Sequence, residues 1–300
     1  MKIAILSRED NYTNRRLVEE AEKAGHEIRV IDFTRCYVQL EQSKPQVFFE
    51  GESLNDIDAI IPRIGASVTS YGAAIIRQFE MMGVYSSVSS LALVRSRDKL
   101  RSYQLLSRAK VGIPKSVFAR RTQDAASIVE MLGGAPLIVK LLEGKMGKGV
   151  VLAETRKAAK SVIEAFYSIS AEFLVQEFIE EAHGADVRAL IVGGEIVGAM
   201  MRQGEEGEFR SNLHRGGKAL PVELSKKEHN LALKAASTMG LQIAGVDIIR
   251  SKRGPLILEI NSSPGLEGIE KATKLDIAGS VIDFVVTRAQ GKRRRDKIGA

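Results

Sequence analysis

Several residue types are scarce in this chain, and each absence excludes a class of protein. The 300 residues contain one cysteine, Cys36, no tryptophan and only 5% aromatic residues. A single cysteine excludes an internal disulfide and a cysteine-based zinc site, and nothing beside it indicates a nucleophile, so we interpret Cys36 as structural. The low aromatic content argues against a stacking surface for single-stranded nucleic acid.

Long apolar runs and the common nucleotide-binding motifs are also missing. No segment approaches the length of a membrane span, and residues 1–7 are too short for a signal peptide, so we expect a cytoplasmic protein without membrane contact. No Gly-x-Gly-x-x-Gly follows the first strand, and no Gly-x-x-x-x-Gly-Lys-Ser/Thr occurs. These absences argue against a dinucleotide fingerprint and a P-loop.

The composition is that of a globular protein with a basic surface. Hydrophobic residues make up 44% of the chain and the formal net charge is +7, so the chain can bury a sizeable core and suits an acidic partner or product. Part of the charge lies in the run Lys-Arg-Arg-Arg at 292–295. We interpret this run as a disordered tail. Nucleic-acid binding by the tail is a weaker alternative, because no recognition motif accompanies it.

Short apolar strands alternate with amphipathic helices in the amino-terminal third. Strands are predicted at residues 2–6, 27–31 and 58–61, and helices at about 14–24 and 71–82. Because a βαβ opening places its strands side by side, we expect a parallel, Rossmann-like sheet. The unit has either a substrate-binding or a scaffold role.

A second unit begins near residue 91 with a basic helix over 97–109. At its centre, a strand within residues 133–142 carries one lysine, Lys140, inside an apolar run. This lysine either reaches water from an edge strand or meets a counter-charge. The loop at 143–149 contains three glycines and two lysines, and its backbone amides can approach a phosphate chain, which favours the counter-charge.

The carboxyl-terminal part has the pattern of antiparallel strands. The turn Gly193-Gly194 separates two alternating runs and indicates a hairpin. Further along, Ser225 and Glu228 form a capping box for a helix over 226–239.

Two apolar strands joined by a polar turn run from Asp247 to Asn261. If the hairpin turns around Arg253, Asp247 pairs with Glu259, while Glu259 and Asn261 share one face of their strand. Two carboxylates this close repel each other unless a cation lies between them, and carboxylate and amide oxygens suit a hard ion such as Mg²⁺. The alternative is a surface hairpin with solvated acids.

Four segments, in this order, resemble the ATP-grasp superfamily: residues 136–151, 175–179, 209–217 and 259–266. Within it, Arg97-Asp98-Lys99, the Pro-Arg-Ile-Gly run that ends at Gly65 and the string Arg-Ser-Asn-Leu-His-Arg-Gly-Gly resemble the RimK-type glutamate ligases. One departure is Met146, where a glutamine is common. The resemblance implies an α/β (α+β) ATP-grasp fold behind a Rossmann-like domain.

The resemblance covers nearly the whole chain and divides it into four parts. They are a pre-ATP-grasp α/β domain at 1–93, a central subdomain at 94–171, a carboxyl-terminal subdomain with the metal site at 172–290, and a basic tail at 291–300.

The resemblance also assigns roles to residues. It implies ATP as co-substrate and two ions of Mg²⁺ or Mn²⁺ per subunit, held by Asp247, Glu259 and Asn261. The implied ATP-binding residues are Lys99, Lys140, Gly144, Gly147, Gly149, Glu177, Phe178, Asp186, Arg210, Ser211 and Asn212. Of these, the lysines would contact phosphates, Glu177 and Phe178 the adenine, and Asp186 the ribose. The implied catalytic residues, which would stabilise charge at the reacting phosphate, are Arg202, Lys140 and Asn212.

His214 is either a general base or a hydrogen-bonding strut for its loop. In the carboxylate-amine ligases of this superfamily, ATP phosphorylates a carboxylate and an amine attacks the acyl phosphate. The resemblance implies L-glutamate as the amine, the carboxyl terminus of a small-subunit ribosomal protein as the acceptor, and a homo-oligomer such as a tetramer.

Three alternatives stay open at this point. The chain either makes free α-linked oligoglutamate, or glutamylates a small-molecule cofactor, or binds ATP without turnover as a regulatory protein. The last is disfavoured because degenerate copies usually lose their metal ligands, whereas Asp247, Glu259 and Asn261 are all present.

Overall fold

The computed structural model describes residues 1–42, 44–118, 124–142, 149–205, 207–211 and 216–291. In this part of the chain, the strands form four sheets. No helix there is long and apolar enough to cross a membrane. The glycine and lysine loop at 143–148, residues 212–215 and the tail at 292–300 lie outside the described residues.

A parallel four-stranded sheet forms the amino-terminal unit, as the alternation of strands and helices predicts. Its strands, in the spatial order β2-β1-β6-β7, are β1 (Lys2–Leu6), β2 (Glu27–Ile31), β6 (Ala59–Pro62) and β7 (Tyr85–Ser86). The accompanying helices are α1 (Tyr12–Lys23), α2 (Thr69–Met81) and α3 (Ser90–Arg97). The strand order reverses between β1 and β6, which is where ligands bind in sheets of this kind.

A small antiparallel sheet follows β2 and is not predicted by any sequence pattern described above. It consists of β3 (Cys36–Gln39), β4 (Gln46–Phe49) and β5 (Glu52–Ser53). Cys36 is buried there, and burial raises the pKa of its thiol to about 12. The thiol therefore stays protonated, in keeping with a structural role.

The second unit is an antiparallel sheet in the order β10-β9-β11-β8. Its strands are β8 (Ser116–Phe118), β9 (Leu137–Leu141), β10 (Val150–Ala153) and β11 (Phe173–Glu177), and its helices are α4 (Lys99–Arg108), α5 (Ala125–Met131) and α6 (Arg156–Ser168). The helix predicted over 97–109 corresponds to α4 but begins two residues later, because Asp98 ends α3 and its carboxylate accepts a hydrogen bond from the Arg101 amide at 2.9 Å. Lys140 lies on the internal strand β9, so it does not reach water from an edge.

The third unit is a five-stranded antiparallel sheet in the order β14-β13-β12-β15-β16. Its strands are β12 (Ala185–Val192), β13 (Glu195–Gln203), β14 (Lys218–Pro221), β15 (Ile243–Ser251) and β16 (Gly254–Asn261), and its helices are α7 (Lys226–Met239), α8 (Glu267–Thr273) and α9 (Ile277–Gln290). The predicted hairpin at Gly193-Gly194 and the capping box of Ser225 and Glu228 are both confirmed.

Two apolar clusters join the amino-terminal sheet to the third unit. Along β1 the side chains alternate, so that Ala4 and Leu6 belong to one cluster and Ile3 and Ile5 to the other. The first cluster continues into β12, β15, β16 and α7, and the second into α8 and α9. The second unit has a separate cluster, built between its own sheet and helices α5 and α6.

A buried carboxylate, Glu270, also connects the first and third units. It accepts hydrogen bonds from the amides of Ile277 and Ala278 at 3.0 and 2.9 Å, at the start of α9. From α1 it accepts the hydroxyl of Tyr12 at 2.9 Å and Arg16 Nε at 3.4 Å. One side chain therefore caps α9 and fixes α1 against it.

Glu270→Gln is expected to lower the free energy of unfolding by about 1–3 kcal/mol, because an amide nitrogen then faces Arg16 in a buried position. Denaturant unfolding measures the change. The matched control is Glu164→Gln, whose carboxylate lies 3.8 Å from Lys160 on the exposed surface of α6 and should change stability by less than about 0.5 kcal/mol. Equal effects of the two variants would contradict the role given to Glu270.

Candidate active site

The β15–β16 hairpin places the predicted metal ligands side by side. Asp247 pairs directly opposite Glu259, and the turn lies at Lys252 and Arg253, as the sequence predicts. The register shifts by one residue after Asp247, so that Leu258 is left without a partner at this bulge and is only half-buried. Glu259 is exposed.

A network of four charged side chains lies on one face of the five-stranded sheet. Arg188 binds Asp247 through two hydrogen bonds of 2.7 Å, and Arg202 binds Asp186 through two of 2.7 and 2.5 Å. Arg202 also lies 2.8 Å from Asp247. The strand register explains both pairs, because Arg188 is opposite Asp247 and Asp186 is opposite Arg202.

Burial and charge act against each other in this network. Burial acts to raise the pKa of Asp247, but Arg188 and Arg202 hold it below its ordinary value. Burial acts to lower the pKa of Arg202, but the carboxylates of Asp247 and Asp186 raise it above its ordinary value. Asp247 and Arg202 therefore remain charged, and each stabilises the charge of the other.

Arg188 is the functional-site residue that no sequence pattern above singled out. The sequence did contain a pattern that points to Arg188, because Asp186 and Arg188 are two residues apart on a strand and so share a face of the sheet. Its partner Asp247 is 59 residues away, which no local pattern reveals.

A second group of polar side chains surrounds Lys140. Lys140 Nζ donates to Gln176 Oε1 at 2.6 Å, and Gln176 Nε2 donates to Tyr103 and Ser116 at 2.9 Å each. The Tyr103 hydroxyl in turn donates to the Leu258 carbonyl of β16 at 2.9 Å. This chain of hydrogen bonds connects the second unit to the metal-ligand hairpin.

A second lysine, Lys99, lies close enough to Lys140 for its charge to act on the pKa of Lys140. Lys99 Nζ donates to the Leu142 carbonyl at 2.6 Å. Burial lowers the pKa of Lys140 to about 8, while the negative charge of Glu259 acts to raise it and the positive charge of Lys99 to lower it. Burial also lowers the pKa of Lys99, and Glu259 again opposes the change. Both lysines are therefore partly desolvated, and the negative charge of Glu259 favours their charged forms.

The residues predicted at the adenine end lie at the end of β11. The Glu177 carboxylate accepts the Lys115 amide at 2.5 Å and forms an ion pair with Arg253 in the β15–β16 turn. Phe178 is half-buried beside it. Glu177 thereby joins the edge of the second unit to the turn of the hairpin.

The remaining predicted residues are only partly described. Arg210 binds Glu208 through hydrogen bonds of 2.8 and 2.7 Å, and Ser211 is half-buried. Gly149 has a φ of 73°, and a Cβ there would lie 2.6 Å from a side-chain carbon of Leu141, so only glycine fits. Gly144, Gly147, Asn212 and His214 lie outside the described residues.

The residues predicted to hold metal have a donor set that fits a hard cation. Within the described ranges, the Glu259 carboxylate makes no hydrogen bond or ion pair, and Asn261 has a buried amide nitrogen without a partner. Asp247 Oδ2 is bonded to both Arg188 and Arg202, whereas Oδ1 is bonded to Arg188 alone and so has a second lone pair for a cation. The assignment of these three residues to a metal stays a prediction.

Comparison with protein families gives two matches that together cover nearly the whole chain. A model described as RimK PreATP-grasp domain matches residues 1–93, and one described as RimK-like ATP-grasp domain matches residues 96–285. A protein of Aliivibrio fischeri (strain MJ11), named Probable alpha-L-glutamate ligase, is 59% identical over 298 residues, which is 99% of each chain. A protein of the same name from Cellvibrio japonicus (strain Ueda107) is 58% identical over 291 residues, 97% of each chain.

Solved structures show the same fold at lower identity. The ATP-grasp ligase PsnB, complexed with minimal precursor, Mg and ADP, has a TM-score of 0.75 at 20% identity and covers 96% of this chain and 98% of its own. A RimK domain protein ATP-grasp from Sphaerobacter thermophilus has a TM-score of 0.70 at 20% identity, covering 95% of this chain and all of its own (100%). The expected ATP-grasp fold with an amino-terminal pre-ATP-grasp domain is confirmed.

Lys140→Met is expected to raise the free energy of unfolding at pH 7 by about 1–3 kcal/mol. A pKa lowered from 10.5 to about 8 means that burial of the charge costs stability, and the lost hydrogen bond to Gln176 offsets part of the gain. Denaturant unfolding at pH 7 and at higher pH measures both stability and its pH dependence.

The wild-type stability should rise between pH 8 and 10.5, because in that range the unfolded chain still binds a proton that folded Lys140 has released. Lys140→Met should lose this part of the rise. The control Lys160→Met removes an exposed lysine and should keep it. A pH dependence in Lys140→Met that matches the wild type would show that Lys140 is not the titrating group.

Proposed function

The chain belongs to the RimK-like ATP-grasp family, and on that premise we propose that it adds L-glutamate to the carboxyl-terminal carboxylate of a small-subunit ribosomal protein. It is an ATP-dependent ligase that forms a C–N bond between a carboxylate and an amine. Relatives named Probable alpha-L-glutamate ligase at up to 59% identity support L-glutamate as the amine. The observation that carries the proposal is the chain of hydrogen bonds from Lys140 through Gln176 and Tyr103 to the β15–β16 hairpin, which places Lys140 beside the strand that holds Glu259 and Asn261.

The proposed reaction has two steps. A carboxylate oxygen of the acceptor attacks the γ-phosphorus of ATP, the bond to the bridging oxygen breaks, and ADP leaves with an acyl phosphate formed. The amine of L-glutamate then attacks the acyl carbon, inorganic phosphate leaves, and the nitrogen loses a proton to give the amide. Charge that develops on the phosphate oxygens accounts for most of the energy barrier of the first step. Fixed cations that stabilise this charge are therefore the expected source of the rate acceleration.

The residues of the two groups supply those cations. Lys99 and Lys140 would contact the phosphates, and Arg202 would stabilise charge near the transferred phosphoryl group. Their positions are fixed in advance, because Arg202 is locked by Asp186 and Asp247, and Lys140 by Gln176. Such preorganisation avoids reorganisation during the reaction.

The nucleotide and the metal would occupy the space between the second unit and the hairpin. We propose that Glu177 and Phe178 lie at the adenine, and Asp186 at the ribose. Asp247, Glu259 and Asn261 would hold two divalent ions, Mg²⁺ or Mn²⁺, which would neutralise phosphate charge when bound. The solved PsnB complex, which contains Mg and ADP, supports Mg²⁺ with an adenine nucleotide.

The remaining nucleotide contacts are proposed from the family pattern alone. They are Gly144, Gly147, Gly149, Arg210, Ser211 and Asn212, of which Asn212 would also be catalytic.

Several wider features belong to the same proposal. We place the protein in the cytoplasm as a homo-oligomer such as a tetramer, with unit boundaries after residues 93 and 171. The net charge of +7 would suit an oligoglutamate product, which is a polyanion. Free oligoglutamate and a glutamylated cofactor are the alternative products, and the same charge suits the first of them.

Phosphate release with ATP, Mg²⁺ and each of the twenty amino acids, with and without purified small ribosomal subunits, tests the function. Mass spectrometry of every protein present follows. We expect release with L-glutamate and mass gains in glutamate steps on one ribosomal protein. Release without any protein mass gain would indicate free oligoglutamate instead, and no release under any condition would contradict the ligase proposal.

Glu259→Gln is expected to lower kcat by at least about 100-fold while the protein stays folded, because it removes a charged metal ligand but little packing. Initial rates and thermal unfolding measure the two effects. Glu195→Gln is the matched control, because Glu195 is exposed on β13 of the same sheet. Near-normal turnover of folded Glu259→Gln would remove the metal assignment.

A further inference from the structure

Two arginines meet at the point where the strand order of the amino-terminal sheet reverses. Arg63 follows β6 directly, and its amide donates to the Leu6 carbonyl at the end of β1 at 2.9 Å. Its Nη1 donates to the Pro264 carbonyl, just after β16, at 2.7 Å. Arg97, the last residue of α3, donates from Nη2 to the Ile64 carbonyl at 2.5 Å.

Four buried polar atoms at this junction have no hydrogen-bond partner in the described part of the chain. They are Arg63 Nε, Arg97 Nε, Asn261 Nδ2 and Ser262 Oγ. The two Nε atoms and Asn261 Nδ2 can only donate a hydrogen bond, and the Ser262 hydroxyl can either donate or accept one. Buried polar groups are nearly always bonded, so a cluster of buried donors indicates a ligand that accepts.

The two guanidinium groups also lack an ion-pair partner. Within the described ranges, neither forms an ion pair, whereas Arg188 and Arg202 are paired with Asp247 and Asp186. Burial and the charge of Arg97 together lower the pKa of Arg63 to about 10, and Glu9 opposes the change. A positive pair of this kind is costly to bury unless an anion completes it.

The geometry leaves the Nε of each arginine buried and without a hydrogen-bond partner. One Nη of each guanidinium is anchored on a backbone carbonyl, which fixes the side chain and leaves Nε to donate. The site borders the reaction centre, because Asn261 is a predicted metal ligand and the charge of Glu259 acts on the pKa of Arg97.

We propose that Arg63 and Arg97, with Asn261 and Ser262, bind a carboxylate of a substrate beside the place where the amide bond forms. This inference rests on the proposed function and extends it, because the ATP-binding and metal-binding residues do not include either arginine. The carboxylate belongs either to the incoming L-glutamate or to the acceptor. Guanidinium suits a carboxylate better than an ammonium does, because its planar fork matches the two oxygens.

Steady-state kinetics of Arg63→Met and Arg97→Met, with ATP, L-glutamate and small ribosomal subunits varied in turn, test this site. We expect the KM of one carboxylate substrate to rise by about 30-fold or more, and that of ATP by less than about 3-fold. A higher KM for L-glutamate would identify the amine substrate as the ligand of this site. A higher KM for the ribosomal subunits would identify the acceptor as the ligand. Arg63→Lys, which keeps the charge, should recover part of the loss.

The matched control is Arg95→Met. Arg95 is also on α3 and also has a buried, unpartnered Nε, but its guanidinium lies against Gly240 at the end of α7. The Arg95→Met variant should keep the KM values for L-glutamate and for the ribosomal subunits within about 3-fold of wild type. If a methionine variant fails to fold, as thermal unfolding will show, Arg63→Lys and the other methionine variant carry the test.

Two outcomes overturn the inference, and they can be told apart from failure of the proposed function. If folded Arg63→Met and Arg97→Met keep wild-type KM values for both carboxylate substrates while the wild type turns over L-glutamate, only the inference is wrong. The same holds if Arg95→Met raises KM equally. If the wild type does not turn over L-glutamate at all, the proposed function and the inference both fail.

Discussion

The antiparallel register of the five-stranded sheet determines where the buried ion pairs of the site lie. It places Asp186 opposite Arg202 and Arg188 opposite Asp247, and the central position of Arg202 connects both carboxylates. Removal of one member of such a buried network leaves an uncompensated charge, which typically costs about 3–5 kcal/mol. The hairpin that presents Glu259 and Asn261 is built on this same sheet, so the ion pairs and the predicted metal ligands share one scaffold.

The second unit contributes charge at a cost to its own stability. Burial lowers the pKa values of Lys99 and Lys140. Lys140 is held by a neutral partner, Gln176, and Lys99 donates to the Leu142 carbonyl. A stable core would use apolar residues at such positions. Proteins retain unfavourable groups of this kind where function needs them, because selection acts on activity once stability is sufficient. Arg63 and Arg97 belong to the same class.

Local patterns were enough to predict some of the elements and one key pairing. The period of two along β15 and β16 places Asp247 opposite Glu259, and the capping box of Ser225 and Glu228 marks the start of α7 correctly. Contacts that depend on distant segments were not predictable. They include the partnership of Arg188 with Asp247, the chain of hydrogen bonds from Lys140 to β16, and the small sheet after β2. Each arises only when separate elements pack together.

The separate apolar cluster of the second unit has a mechanical consequence. Since the β8–β11 sheet and helices α5 and α6 enclose their own core, a rigid-body rotation of this sheet with these two helices would expose little apolar surface. Helix α4 would stay behind, because its Leu106 belongs to the first apolar cluster. The rotation would break mainly polar links, such as the Gln176 bond to Tyr103 and the Glu177 pair with Arg253. Separation of the first and third units would expose far more apolar surface, because two apolar clusters join them. A movement between these parts would thus carry the sheet with α5 and α6 as one body over a fixed base.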